Sequence, residues 1–334
     1  MKVTVIVRTY RRPEFLRECL ASIAIQTHKD WELILFDDSA DDDNFKIYKE
    51  FKERNIDKLV MYVTTKDAYD MFKQSWLISP DLSNGELMVR VDDDDLLASD
   101  ALKFLSNLYE ENPDLDFSYG SSVDFDSNDN LVSVIEGNTP LEHPKTRDLW
   151  TAYTIPDNHP WTYPWRFTNN YYDEPQNYTS IVHCSKANLM CVFHTYAMRT
   201  SSVKKVKDNI TMTSQYVDDL EFLGSLDYLG LNHTSVKKIL SYIRIHYSGK
   251  VSDSNIPIMR DDILKIRDKV DYLRTSDFTS NIIVPKSNSN YNNGIDEILK
   301  SDFKKCKKSI IDFLENKNTN SNGWDCTENP QWYD

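Results

Sequence analysis

The sequence predicts an α/β fold: a mixed, mostly parallel sheet with helices on both faces, plus a C-terminal helical extension. Three observations predict it. Over about the first 120 residues, short apolar runs alternate with stretches of helical spacing, the pattern of βαβ units. Two acidic clusters, Asp37-Asp38 and Asp92-Asp93-Asp94-Asp95, each follow directly on an apolar run. Both therefore fall at strand carboxyl ends, where such sheets bind ligands. Finally, the 8 glycines form no GxG, which excludes a dinucleotide fingerprint and a P-loop.

Val3–Val7 reads as a buried strand. Pro13 then opens a helix, where its missing N–H is harmless, and Phe15, Leu16, Cys19, Leu20 and Ile23 follow at helical spacing. Trp31–Phe36 is a second apolar strand, stopped by Asp37-Asp38-Ser39. Phe45–Phe51 reads as helix and Leu59–Val63 as the third strand. Ala68–Ile78 is helical, and Leu87–Val91 is the fourth strand, running into the four aspartates. Ala101–Glu111 is a helix closed by Asn112-Pro113, and Phe117-Ser118-Tyr119 begins a further strand.

Residues 140–180 are different: Trp150, Trp161, Trp165, Tyr171 and Tyr172 stand among several prolines. Aromatic faces stack on sugar rings, so this segment is an acceptor wall or lid, or else a small apolar subcore. A helix over 215–229 begins near Asp218-Asp219, and a strand follows at Ile239–Ile245. Residues 285–293 are Asn/Ser-rich and read as a linker. A helix over 295–315 then sets Ile295, Leu299, Phe303, Cys306, Ile310 and Leu314 on one face and Lys300, Lys304, Lys305, Lys307 and Lys308 on the rest. Such a basic amphipathic helix lies on an anionic membrane or docks on the protein's own surface. The last residues, through Trp332-Tyr333-Asp334, read as weakly structured.

Composition narrows the function classes. A net charge of -14 is wrong for nucleic-acid binding, which sets Lys and Arg against phosphates. An anionic substrate would need that field screened, and a divalent cation does so. Cys19, Cys184, Cys191, Cys306 and Cys326 show no CxxC or metal spacing and read as reduced thiols. The first strand reaches Arg8 and Arg11-Arg12 too early for a signal peptide. No apolar run nears the roughly 20 residues of a membrane span. The expected location is cytoplasmic, with peripheral membrane contact through helix 295–315 as the one departure.

Four adjacent carboxylates repel one another, and a cation relieves them. Delivered by one strand end, their oxygens suit Mg²⁺ or Mn²⁺; taken alone, the run reads equally as a solvated acidic turn. An EF-hand does not fit, since Leu97 and Lys103 stand where that loop needs Gly and Glu.

In this setting the chain resembles family 2 glycosyltransferases with the Rossmann-like GT-A fold. Val5-Ile6-Val7-Arg8-Thr9-Tyr10-Arg11-Arg12-Pro13, Gln26-Thr27 and Glu32 through Ser39 look like that family's opening. Gly85-Glu86 through Leu96 looks like its DXD segment, and Asn112-Pro113-Asp114 like the stretch that follows. The resemblance implies a metal-dependent, inverting transfer of sugar from a UDP-sugar donor to a carbohydrate or glycoconjugate acceptor, in polysaccharide or glycoconjugate synthesis. It implies a 1–250 catalytic domain with a nucleotide-sugar half (1–125) and an acceptor half (126–250), followed by a 251–334 extension.

The resemblance also implies residue roles. Asp38 would accept a hydrogen bond from uracil N–H, with Thr9 and Tyr10 lining the pocket; a carboxylate is acceptor-only and so selects that edge. On its own, Asp38 reads equally as a helix cap or turn residue. Asp94 would bind metal with Asp92 or Asp93, Asp93 being alternatively a ribose ligand. Strand alternation sets Asp92 and Asp94 on one side and Asp93 on the other. Asp95 caps the next helix. Asp219, of the family's acidic pair, would be the base that takes the acceptor's proton; alone, Asp218-Asp219 reads as charge at a helix N-terminus. His246, in Arg244-Ile245-His246, is a third metal ligand, a diphosphate contact or a structural residue. Lys73 is the one candidate for the basic contact usual before the DXD strand. Two other readings are a nucleotidyltransferase, which releases pyrophosphate, and a carbohydrate-binding module without nucleotide affinity.

Overall fold

The computed structural model describes residues 1–39, 42–65, 71–135, 195–209, 231–246 and 297–315, with short pieces at 152–153, 179–180, 222, 229 and 331–333. Its strands are β1 (Val3–Thr9), β2 (Trp31–Asp37), β3 (Val60–Thr65), β4 (Leu87–Asp92), β5 (Leu96–Leu97), β6 (Phe117–Phe125), β7 (Leu131–Ile135), β8 (Ala152–Tyr153), β9 (Thr179–Ser180), β10 (Tyr196–Arg199), β11 (His233–Arg244) and β12 (Gln331–Tyr333). The helices are α1 (Pro13–Ala24), α2 (Asp42–Arg54), α3 (Met71–Leu82), α4 (Ala101–Glu111), α5 (Thr200–Asn209) and α6 (Glu297–Glu315).

The main sheet runs β12-β3-β2-β1-β4-β10-β6-β11-β5. β1 pairs in parallel with β2 on one side and β4 on the other, and β2 with β3. β10 inserts antiparallel between β4 and β6. β6 then pairs in parallel with β11, and β5 closes the far edge antiparallel. β8 and β9 form a separate two-residue pair.

Every residue of β1 and β2 is buried, as expected of strands covered on both faces. Alternation splits them between two cores. Val3, Val5 and Val7 face α1, α2, α4 and α6, through Leu16, Ile47, Leu105 and Phe303 among others. Ile6, Ile34 and Met88 face the other way, onto Trp76 of α3, Val203 and Val206 of α5, and Phe222. Helices therefore cover both faces. Gly85, just before β4, lies so close to β1 that an added Cβ would sit 2.6 Å from the Thr4 nitrogen.

Several expectations change. β6 is a nine-residue strand that turns through Asp126–Asn130 into β7. β11 has 12 residues and begins at His233, six positions before the strand the sequence suggested. Residues 331–333, read as weakly structured, pair in parallel with β3. The apolar stripe of α6 is not offered to a membrane: Leu299, Phe303, Cys306 and Ile310 are at most 2% exposed and pack in the core. Its outward face carries Lys300, Lys304, Lys305 and Lys308, with Ile298 and Ile311 exposed among them. Among the described residues, no helix is long and apolar enough to cross a membrane. The aromatic segment 140–180 (apart from 152–153 and 179–180), the linker 285–293 and nearly all of helix 215–229 lie outside the described residues.

Candidate active site

Three neighbouring parallel strands end together. The β1–β2 register sets Thr9 opposite Asp37, and the β1–β4 register sets Arg8 opposite Asp92. The next residues out, Tyr10, Asp38 and Asp93, are thereby gathered at one edge. The Asp38 N–H donates to the Thr9 carbonyl (3.0 Å), continuing the β1–β2 ladder.

The two carboxylates after β2 have separate duties. Asp37 is fully buried and accepts from Ser39 N–H (2.8 Å), Ser39 Oγ, Asn44 Nδ2 (3.1 Å) and the Tyr62 hydroxyl. Its oxygens are committed to holding the loop into α2. Asp38 is 4% exposed, and the contact it makes with Thr9 is that backbone bond.

The four aspartates divide as well. β4 ends at Asp92, and the Asp95 N–H closes a turn onto the Asp92 carbonyl (3.1 Å). The alternation expected to set Asp92 and Asp94 on one side stops there. Asp92 pairs back along its own strand with Arg90 (3.0 Å), whose guanidinium also binds the Tyr196 hydroxyl and lies 5.2 Å from the Trp76 ring centre. Asp93, fully buried, accepts from Thr9 Oγ1 (2.7 Å) and the Tyr10 N–H (3.3 Å). Asp94 accepts from His246 Nε2 (2.8 Å). Asp95 receives the Arg244 N–H (3.1 Å) from β11 rather than capping α4. Beneath the turn, the buried Cys19 thiol donates to the Asp92 carbonyl (3.4 Å), and burial pushes that thiol well up, so it is a packing residue and not a nucleophile.

Sequence reasoning missed the residue at the centre. Arg12 pairs with Asp93 (2.8 Å) and, through its other terminal nitrogen, with Asp94. It reaches them because Arg11 adopts a positive φ of 51°, rare for a side chain of its size, with its N–H on Ser39 Oγ (3.0 Å). Burial works against the Arg12 charge, but the aspartates outweigh it and hold the guanidinium protonated. The adjacent carboxylates are driven apart. Burial pushes Asp93 well above the usual carboxylate range, against the opposing pull of Arg12. Burial also works to raise Asp94, but the His246 hydrogen bond and Arg12 outweigh it, and Asp94 falls below its ordinary value.

This donor set fits a divalent cation. Two carboxylates already converge on one positive group, with an imidazole on Asp94, and carboxylate oxygens suit Mn²⁺ or Mg²⁺. Among the described residues, though, no three His, Cys, Asp or Glu side chains form a ready-made metal cluster. Asp94 and His246 are brought together, while Asp92 is turned to Arg90. For Lys73 only the backbone is described, in α3; Asp219 lies outside the described residues.

Comparison with known proteins extends this. Residues 4–205 match the family described as glycosyl transferase family 2. A 112-residue stretch is 33% identical to glycosyltransferase GlyA of Streptococcus pneumoniae, covering 33% of this chain and 15% of that protein. A 114-residue stretch is 28% identical to the poly(ribitol-phosphate) beta-glucosyltransferase of Bacillus spizizenii, covering 34% of this chain and 18% of the relative. The chain thus spans less than one fifth of either relative's length. Among solved structures, S. aureus TarS 1-349 aligns at a TM-score of 0.51 and 16% identity, covering 82% of this chain and 65% of that one. The same protein in complex with UDP-GlcNAc aligns at 0.50 and 17%, covering 82% and 66%. At such identity the likeness is one of fold, the GT-A fold. With the family match running over more than half of the chain, from β1 into α5, the chain belongs to glycosyl transferase family 2.

Proposed function

We propose that this chain is an inverting glycosyltransferase that moves a sugar from a UDP donor to a hydroxyl of a carbohydrate or glycoconjugate acceptor. The observation that carries the reading is the meeting of Thr9, Asp38 and the Asp93-Asp94 turn at the ends of three parallel strands. Asp37 is consumed in holding its loop, and Asp38, the next residue out from β2, is the acceptor read for a uracil N–H, with Thr9 and Tyr10 at the same strand ends. That TarS has been captured with UDP-GlcNAc on the same fold supports a uridine nucleotide. A relative named for poly(ribitol-phosphate) supports a polyol or glycan acceptor.

Asp94 and His246, with Asp93 or Asp92, would hold Mn²⁺ or Mg²⁺. When bound, such a cation supplies positive charge against the departing diphosphate. Asp219 takes the proton of the acceptor hydroxyl. The hydroxyl oxygen then bonds to the anomeric carbon from the face opposite the diphosphate. The carbon–oxygen bond to the diphosphate breaks, and UDP leaves with the electron pair. One displacement inverts the centre. Support for Asp219 in this role is the sequence alone, where Asp218-Asp219 resembles the family's acidic pair.

The test is a panel of sugar nucleotides with and without Mn²⁺, read by UDP release and thermal shift. Asp219→Asn should keep Mn²⁺-dependent UDP binding and lose transfer, whereas Asp94→Asn should lose both. Normal turnover by Asp219→Asn would remove it as the base. No response to any nucleotide would overturn the reading as a whole.

A further inference from the structure

We propose that Lys307, on a helix outside the family-matched segment, is a positioning residue for the aspartate turn, acting through Glu18 and Arg244. The inference rests on the functional reading above. α6 begins 92 residues after the family match ends at 205 (297 less 205). It nonetheless reaches the site through a short chain of contacts. Lys307 Nζ donates to Glu18 Oε2 (2.9 Å) and pairs with Asp129 (3.1 Å). The same Glu18 oxygen accepts from the Arg244 guanidinium (2.7 Å). Arg244 in turn holds the turn twice, by its N–H on Asp95 Oδ1 (3.1 Å) and by Nε on the Asp94 carbonyl (3.1 Å).

Charge explains why three members are needed. The Lys307 ammonium and the Arg244 guanidinium both reach one Glu18 oxygen, at 2.9 and 2.7 Å. Two cations so close require an anion between them. Glu18 is that anion: burial works against its charge, but the Lys307 hydrogen bond and Arg244 hold its carboxyl below the usual range. Without Lys307, Glu18 keeps Arg244 as its remaining close cation. The guanidinium can then follow the carboxylate instead of the Asp94 carbonyl, and the turn loses its aim without losing its fold. The stability role of α6 sits elsewhere, in Leu299, Phe303, Cys306 and Ile310. A partly exposed pair such as Lys307–Glu18 contributes little by comparison.

The experiment uses the full chain with Lys307→Met, Lys307→Arg and Glu18→Gln. Mn²⁺-dependent UDP affinity is measured by calorimetry, and turnover by UDP release. Lys307→Met should melt near the unaltered chain in buffer alone. It should weaken Mn²⁺-dependent UDP binding and lower kcat/KM by roughly tenfold, the low end for partners that orient metal ligands. Lys307→Arg, which keeps the cation, should restore both. Glu18→Gln should reproduce the loss, and serves if Lys307→Met does not fold. A lower melting temperature with unchanged UDP affinity would reduce Lys307 to a clamp on α6 and overturn the inference. If the unaltered chain binds UDP with Mn²⁺ and both Lys307→Met and Glu18→Gln bind equally well, only the inference fails. If the unaltered chain binds none, the functional reading fails and the inference with it.

Discussion

Arg12 meets Asp94 across 82 positions of sequence, which is why its role is invisible in the chain. Beside Arg11 and before Pro13 it reads as part of a solvated turn; only the fold supplies the carboxylates. Asp92 shows the same limit from the other side. Alternation was a sound rule up to the last residue of β4 and failed one residue later, where the ladder ends and a turn begins. By contrast, the strand-end placement of Thr9 and Asp38 was legible, because a strand end is marked by its own apolar run. The pairing of Arg12 carries a prediction. Arg12→Gln leaves Asp93 and Asp94 facing each other without their cation. The loss should be about 2 kcal/mol, below that of a fully buried pair because the Arg12 side chain is 21% exposed. Mn²⁺ without nucleotide should then raise the melting temperature of Arg12→Gln by more than that of the unaltered chain, since no tethered guanidinium competes. An equal or smaller shift would show that the two cations do not share a position.

Among the elements, α6 was read correctly as an amphipathic helix, but its hydrophobic stripe has two possible partners that sequence cannot separate. The structure chooses the protein: Phe303 is 2% exposed, 5.1 Å from Phe125 and 4.8 Å from Tyr242 between ring centres. Phe303→Ala should therefore cost about 3–5 kcal/mol, the range for emptying an aromatic core site, by urea unfolding of the full chain. A change under about 1 kcal/mol would mean that α6 does not dock in solution. The elements that sequence did not disclose share a physical cause. β10 has four residues and passes directly into α5, so no turn residue announces it. α5 offers Val203 and Val206 among Lys204, Lys205 and Lys207, too thin a stripe to register. β12 has three residues and is defined by its pairing with β3. β1, β2 and β4 were plain because parallel strands buried on both faces need unbroken apolar runs.

At the scale of the molecule, the family-matched segment and the folding unit do not coincide. The match ends at residue 205, inside α5, yet β11 lies between β6 and β5 in the sheet. Nine residues of β6, all buried, face β11 along one edge. The fit is so close that a Cβ on Gly120 would sit 2.5 Å from the Leu240 side chain. β5 has β11 as its sheet partner, and the aspartate turn hangs between β4 and β5. A fragment of residues 1–209 would therefore bare the long, unpaired backbone edge of β6 and release the turn from Arg244 and His246 together. It should show no cooperative urea transition and should elute as aggregate. Residues 1–246 restore β11 but not α6, and should regain a cooperative transition at a lower midpoint than the full chain. Near-UV circular dichroism against urea, with size-exclusion chromatography, separates the cases. If residues 1–209 unfold cooperatively at the midpoint of the full chain, β11 adds nothing to the folding unit, and the aspartate turn is built by the family-matched segment alone.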